Sequence, residues 1–334
     1  MKVLLAGSFG AHTLETSYKN AFIDEGHDVE AFDIPSKTSK YVKFGKAGQI
    51  LNTFLPVEAW QRKVNREFVI KAKEYEPDVI VIVTNALILP SSMAFLRSIL
   101  LQCKMVLVWP DTLFNLQSHI LQSAPLYDLV ATYSSNSLDV FRALGFKKVK
   151  WVPLAADPHL HYCDLSDDKK TYDITFVGGW RPEREQIMSH ILSNFSSAKI
   201  GIWGPYWNRS SNKLLRSVAD KNPLYASAFS DVIRKSRISM NIIDDTNFPA
   251  ANMRFFEVPI AGGLQLSSKC PEMESEFRHG EHMFYYSNND GLLDVIQHVL
   301  SGKTDNNNIA KHAQELVLAA HTYRHRVKQI LSEL

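Results

Sequence analysis

The chain has 334 residues, of which 45% are hydrophobic and 22% charged, with a formal net charge of +2. That length calls for two cores of roughly 150 residues each, and the composition is that of a globular protein rather than a disordered or fibrous one. The near-neutral balance excludes a global attraction to nucleic acid or to an anionic membrane.

The opening "MKVLLAGSFGAHTLETS" lacks the longer apolar core of a signal peptide. It reads as a first strand, "KVLLAGS", turning into a helix over about residues 12–25. Gly7 and Gly10 in that turn are small enough to bring the loop to a ligand, as an acceptor-side element. His12 there is either a proton acceptor or a solvated residue at a helix start.

Strands "HDVEAFD", "DVIVIVT", "KMVLVWP", "LVATYSS" and "VKWVPLA" follow, separated by helices near 58–75, 90–101, 114–122 and 136–144. The apolar tracts are broken by Asn85, Gln102 and Lys104, short of the 18 or so residues that cross a bilayer. "VWPDTLF" places Asp111 directly after a strand. It is a candidate general base there, with capping of the next helix as the plain alternative and His119 as a lesser candidate.

The polar stretch 155–171 is the best linker. It gives domains at 1–155 and 156–318, with a terminal helix at 319–334. The second half repeats the rhythm with strands "YDITFVGG", "AKIGIWG", "RISMNII", "GLQLSS" and "HMFYYS" and helices near 182–195, 210–218, 227–235, 253–261 and 291–301. Short β-branched runs alternating with helices predict an α/β protein with two doubly wound parallel sheets. Two such domains facing each other leave a cleft at the carboxyl ends of their strands. Cys103, Cys163 and Cys270 are odd in number, far apart and without metal-ligand spacing, which suits a reducing cytoplasm.

Two stretches of the second half carry candidate chemistry. In "FVGGWRPER", Gly178 and Gly179 let backbone approach a ligand, and Arg181 and Arg184 can neutralise a diphosphate. "WGPYW" offers Tyr206 and Trp207 to a nucleotide base. In "NMRFFEVPIAGG", Met253, Phe256 and Ile260 form a stripe that faces the sheet, and Pro259 predicts a kinked or late-starting helix. Gly262 and Gly263 stop it. Arg254 and the helix N-terminus can hold phosphate while Glu257 accepts the hydroxyls of a ribose. The plain alternative is an Arg254–Glu257 ion pair on a surface helix.

Asn252, Arg254, Phe256, Glu257 and Gly262 match the pattern N-x-R-x-F-E followed by small residues and glycine. In this the stretch resembles the donor-binding helix of the CgeB-like family of GT-B glycosyltransferases. "EHMFYYSNNDGLLDVIQHVL" and "HTYRHRVKQIL" resemble that family's closing segments, so the likeness runs over about residues 172–331. Trp109 and Asp111 are similar to a Trp-x-x-Asp pattern in the family, at a spacing one residue shorter. The resemblance departs at Pro249, where many retaining relatives carry the first glutamate of a Glu-x7-Glu pair, although Asp244 and Asp245 lie close.

The resemblance implies a GT-B fold and a metal-independent glycosyltransferase with a nucleotide-sugar donor, UDP-linked on general grounds, and no cofactor. It places Gly179, Arg181, Arg184, Asn252, Arg254 and Glu257 at the donor, and Asp111 or His12 as the base. The acceptor stays open among glycan, protein, lipid-linked sugar, metabolite and modified DNA base. A nucleotide-sugar epimerase or a non-catalytic glycan- or partner-binding module are the other readings of the same frame.

Overall fold

The computed structural model describes residues 1–42, 45, 48, 50, 57–165 and 169–334. The chain divides into two compact units, Met1–Pro153 with Tyr323–Leu334, and Leu154–Thr322. The unit boundaries lie beside those read from the sequence, at 155/156 and 318/319.

The first unit is built on β1 (Lys2–Gly7), β2 (Asp28–Asp33), β3 (Val79–Val83), β4 (Lys104–Trp109), β5 (Leu129–Thr132) and β6 (Val149–Trp151), all parallel, in the order β2-β1-β3-β4-β5-β6. The five residues of β3 are all buried, as a continuous β-branched run predicts for a strand covered on both faces. Helices Glu58–Tyr75 and Pro90–Ile99 cover part of the sheet, burying Val64, Phe68, Met93 and Leu96 in its core. The terminal helix Tyr323–Leu331 packs in this unit, with Tyr323 edge-on to Tyr18. Its basic side is not all solvated. Arg326 is 4% exposed and donates to the Pro153 carbonyl at 2.8 Å, while Arg324 and Lys328 reach Glu25.

The second unit carries β7 (Tyr172–Val177), β8 (Ile200–Trp203), β9 (Ala219–Asp220), β10 (Ser236–Asn241), β11 (Gln265–Ser268) and β12 (Phe284–Tyr286), parallel, in the order β12-β11-β10-β7-β8-β9. Strand order reverses between β1 and β3 in the first sheet and between β7 and β10 in the second. Carboxyl ends at such a reversal diverge and leave room for a ligand.

Three features depart from the sequence reading. Helix Asn306–Ala320 is long, but its start, Asn306–Asn308, is polar and reads as loop. Asp305 caps it by accepting from the Asn308 N–H. The two-residue strand β9 is too short for a periodic signal. The proposed linker is packed structure over much of its length. Asp157 caps the short helix Pro158–His161, whose His161 is 7% exposed, and Gln314 donates to the Cys163 carbonyl. Residues 166–168 of that linker lie outside the described residues.

Candidate active site

The segment 252–263 forms helix Arg254–Ile260, in which every residue from Phe255 to Ile260 is buried. The helix is therefore covered on all sides, and the Met253–Phe256–Ile260 stripe understates its burial. Pro259 lacks the N–H that would bond Phe255. The amide of fully buried Gln265 donates to the Phe255 carbonyl at 3.4 Å instead, so the proline leaves no orphan there. Gly262 takes φ +76°, and the Gly263 N–H returns to the Val258 carbonyl, closing the C-terminus.

Arg254 and Glu257 project from this helix and form an ion pair, with side chains 29% and 6% exposed. The plain alternative read from the sequence is thus present, but buried rather than on a surface helix. Arg254 lies over the Phe229 ring at 4.5 Å, and its Nε donates to the Val177 carbonyl at the end of β7 at 3.3 Å. Burial, reinforced by the neighbouring Arg184 charge, lowers Arg254 to about 10, so it remains cationic at neutral pH. His161 Nδ1 stands 4.0 Å from Glu257 Oε1, and its ring packs edge-on against Phe229.

Asn252 departs from its expected role. Its Oδ1 accepts from the Phe255 N–H, capping the helix, and its Nδ2 donates to Asn241 Oδ1 at 2.9 Å. Both polar atoms are occupied by protein. The helix has seven residues and a capped start, so its dipole is a weak anion site and the guanidinium groups dominate the field.

Across the strand reversal, Arg181 and Arg184 meet a residue that the sequence reading left out of the site. Asp244, with its side chain 1% exposed just beyond β10, receives Arg181 Nε at 3.3 Å and Arg184 Nη2 at 3.2 Å on one oxygen. Its other oxygen accepts from Thr246 and Asn247. Burial lowers the Arg184 pKa, and Asp244 works against that shift. Arg184 also donates to the Gly179 carbonyl and is largely buried. Arg181 is 47% exposed, and among the described residues only its Nε is engaged. Three guanidinium groups and two carboxylates thus gather at the β7/β10 reversal, with one net positive charge.

Packing calls for a glycine at 178, where a Cβ would meet the Phe176 ring at 2.8 Å, whereas one on Gly179 would stand 3.4 Å from Pro205, an ordinary contact. The loop after β8 fills the space, and Trp207, 2% exposed, donates from Nε1 to the Gly178 carbonyl. Trp207 is therefore structural, while Tyr206 is 56% exposed with Arg209 over its ring. Glu185 pins the same loop. Burial raises its pKa, but hydrogen bonds from Ser211, Trp180 and Ser210 bring it down to about 2.

In the first unit the expected residues do not converge. His12 is exposed on the loop after β1, whereas Asp111 follows β4, with β3 between the two strands. Asp111 accepts from the Thr112 N–H and from Asn115 Nδ2, both at 2.7 Å, so its carboxylate braces its own turn. His119 is 7% exposed and lowered by burial. Gly7 stands close against Glu15, whose Cγ a Cβ there would meet at 2.5 Å. Gly10 is held by Thr13 and by Thr16, whose hydroxyl donates to its carbonyl. The carboxylate beneath this loop, Glu15, is 8% exposed and was not read as a site residue. Burial raises its pKa even though it accepts from the Ser8 N–H.

Residues 183–332 match the family described as glycosyl transferase-like. No curated protein matches the chain. Three similar solved structures show the fold. Anabaena HepE in complex with UDP-glucose is 15% identical over 100% of both chains, with TM-score 0.64. Sucrose-phosphate synthase from Thermosynechococcus elongatus is 12% identical over 99% of this chain and 97% of its own, with TM-score 0.64. A glycosyltransferase from Rickettsia africae is 12% identical with the same coverage and TM-score 0.67. The chain has the GT-B fold of glycosyltransferases. Most of its second unit falls within the glycosyl transferase-like match, which continues into the terminal helix.

Proposed function

We propose that the protein is a glycosyltransferase that moves a sugar from a UDP-linked donor to a hydroxyl acceptor, within or beside the CgeB-like family. One observation carries this reading: Arg181, Arg184 and Arg254 gather at the β7/β10 reversal, with Glu257 beside them. Planar guanidinium groups suit a diphosphate, and the buried carboxylate suits the hydroxyls of the adjoining ribose. HepE, one of the similar structures, has been seen with UDP-glucose, with UDP, and with UDP and glucose.

In this reading Arg181 and Arg254 stabilise the negative charge that grows on the departing diphosphate, the role a metal plays in other transferases. Arg184 is more a support than a contact, since it is buried against Asp244 and Gly179. Asp111 or His12 removes the acceptor proton. Asp111 has the firmer placement, because its turn is fixed by hydrogen bonds at both carboxylate oxygens.

The test is titration calorimetry with UDP, GDP, ADP and TDP, followed by incubation with UDP-glucose and other UDP-sugars in the presence of a chelator. UDP binding and slow release of UDP that survive the chelator are expected. Absence of heat with all four nucleotides overturns the reading. An epimerised sugar still joined to UDP would mark an epimerase.

A further inference from the structure

A groove of about 710 Å³ lies in the first unit between helices Glu58–Tyr75 and Pro90–Ile99. It is unrelated to the arginine cluster. One wall is a helical stripe of Arg62, Arg66, Val69 and Ile70, and the other is Leu89, Pro90 and Phe95. Ile70 is 49% and Phe95 50% exposed. Ile99, one turn beyond Phe95, is exposed as well, and so is Leu101 at 77%. Apolar side chains left in water on adjoining turns form a patch rather than the usual scatter of single residues.

The groove is built, not collapsed. Asn65, 2% exposed and part of its lining, donates to the Gln61 and Leu87 carbonyls, and its Oδ1 accepts from the Leu89 N–H at 2.7 Å. That clamp fixes the loop after β3 against the long helix. Arg62 and Arg66 lie on the turns nearer the start of the long helix, Ile70 lies one turn beyond Arg66, and Phe95 adds apolar surface from the second helix. Glu58 pairs with Arg62 at 2.7 Å, but Arg66 has no ion-pair partner among the described residues.

We propose that this groove docks the protein on a bilayer of anionic phospholipid, one acyl chain entering beside Phe95 and Ile70 and its phosphate meeting Arg66. Exposed apolar side chains beside an unpaired guanidinium complement an amphiphile that carries both an apolar chain and an anionic group. A neutral glycan would leave the trough dewetted without satisfying the cation. A purely ionic partner would leave Ile70 and Phe95 uncovered. No helix among the described residues is long and apolar enough to cross a membrane, so attachment of this kind is peripheral. The proposal does not depend on the donor reading.

The full chain is sedimented with vesicles of phosphatidylcholine alone and of phosphatidylcholine mixed with phosphatidylglycerol. Binding to the mixed vesicles only is expected. Phe95→Ser weakens it about tenfold through lost apolar burial. Arg66→Gln abolishes the preference for the anionic lipid. Unchanged melting temperatures of both variants show that they fold, which is expected since both side chains are exposed. Failure of the wild-type chain to sediment with mixed vesicles overturns the proposal, as does equal binding by all three proteins. Sedimentation equilibrium gives the remaining outcome: self-association abolished by Phe95→Ser would assign the groove to a second copy of the chain and likewise overturn the lipid.

Discussion

The two strand reversals in this protein use polar residues in opposite ways. At β7/β10 the cations are held by partners far away in sequence: Arg184 meets Asp244 60 residues on, and Arg254 meets Val177 77 residues back. At β1/β3 and the neighbouring β4 the bonds are local. Thr13 and Thr16 close on Gly10, and Asp111 closes on Thr112 and Asn115. A cluster fixed by long-range pairs holds its charges in place before a ligand arrives, so little ordering is left to do on binding. A locally braced turn holds only itself.

The sharpest test of that contrast is the pair Asp111→Asn and His12→Ala. Loss of the base lowers transfer about 10²-fold or more while UDP affinity, measured by calorimetry, stays as in the wild type. Equal activity in both variants would remove the first unit's candidates. Arg254→Ala is the counterpart in the second unit and loses UDP affinity by about tenfold to a hundredfold. Because it strands Glu257 in the interior, the unfolding free energy from chemical denaturation also falls, by on the order of 3 kcal/mol. The double variant Arg254→Met/Glu257→Gln regains that stability and not the affinity.

Asp244→Asn comes next. It leaves two arginines without their carboxylate and is expected to lower stability by about 2 kcal/mol, whereas Arg181→Ala, at a half-exposed side chain, changes it by less than about 1 kcal/mol. Similar losses in the two would mean that Asp244 is not the organising group. The smallest effect is expected at Glu15. Its folded pKa is raised by burial above the ordinary 4.5, so folded protein binds more protons than unfolded in that interval. Stability therefore falls as pH rises from 4.5 through the folded value. Glu15→Gln keeps an acceptor for the Ser8 N–H, and it should melt higher than the wild type at neutral pH and alike below pH 4.5. A lower melting temperature at neutral pH would show that the ionised carboxylate is needed.

Much of the second unit's site was legible because its residue types are diagnostic in themselves. An Arg pair after a strand and an Arg–Glu pair on a short helix are groups suited to an anion, and the structure brings them to one strand reversal. Asp244 was open to the same logic, being an acid at the carboxyl end of a strand, but two adjacent aspartates gave no way to choose. Phe229 beneath Arg254 had no local signal, since a phenylalanine on an amphipathic helix looks like core. Gly7 had a related limit: a glycine announces close approach without saying to what, and here one close neighbour is Glu15.

The sequence by itself determined the parallel sheets, the end of the buried helix at Gly262 and the kinds of group available for an anion. Those follow from side-chain period, backbone sterics and charge, all properties of neighbouring residues. Only the tertiary structure decided that Asp244 joins Arg181 to Arg184, that Asn252 bonds Asn241 and the Phe255 N–H, and that Glu15 lies beneath Gly7. Each of these depends on which strands become neighbours and how loops fold over their ends. A crossover of tens of residues sets that arrangement, and no local pattern records it.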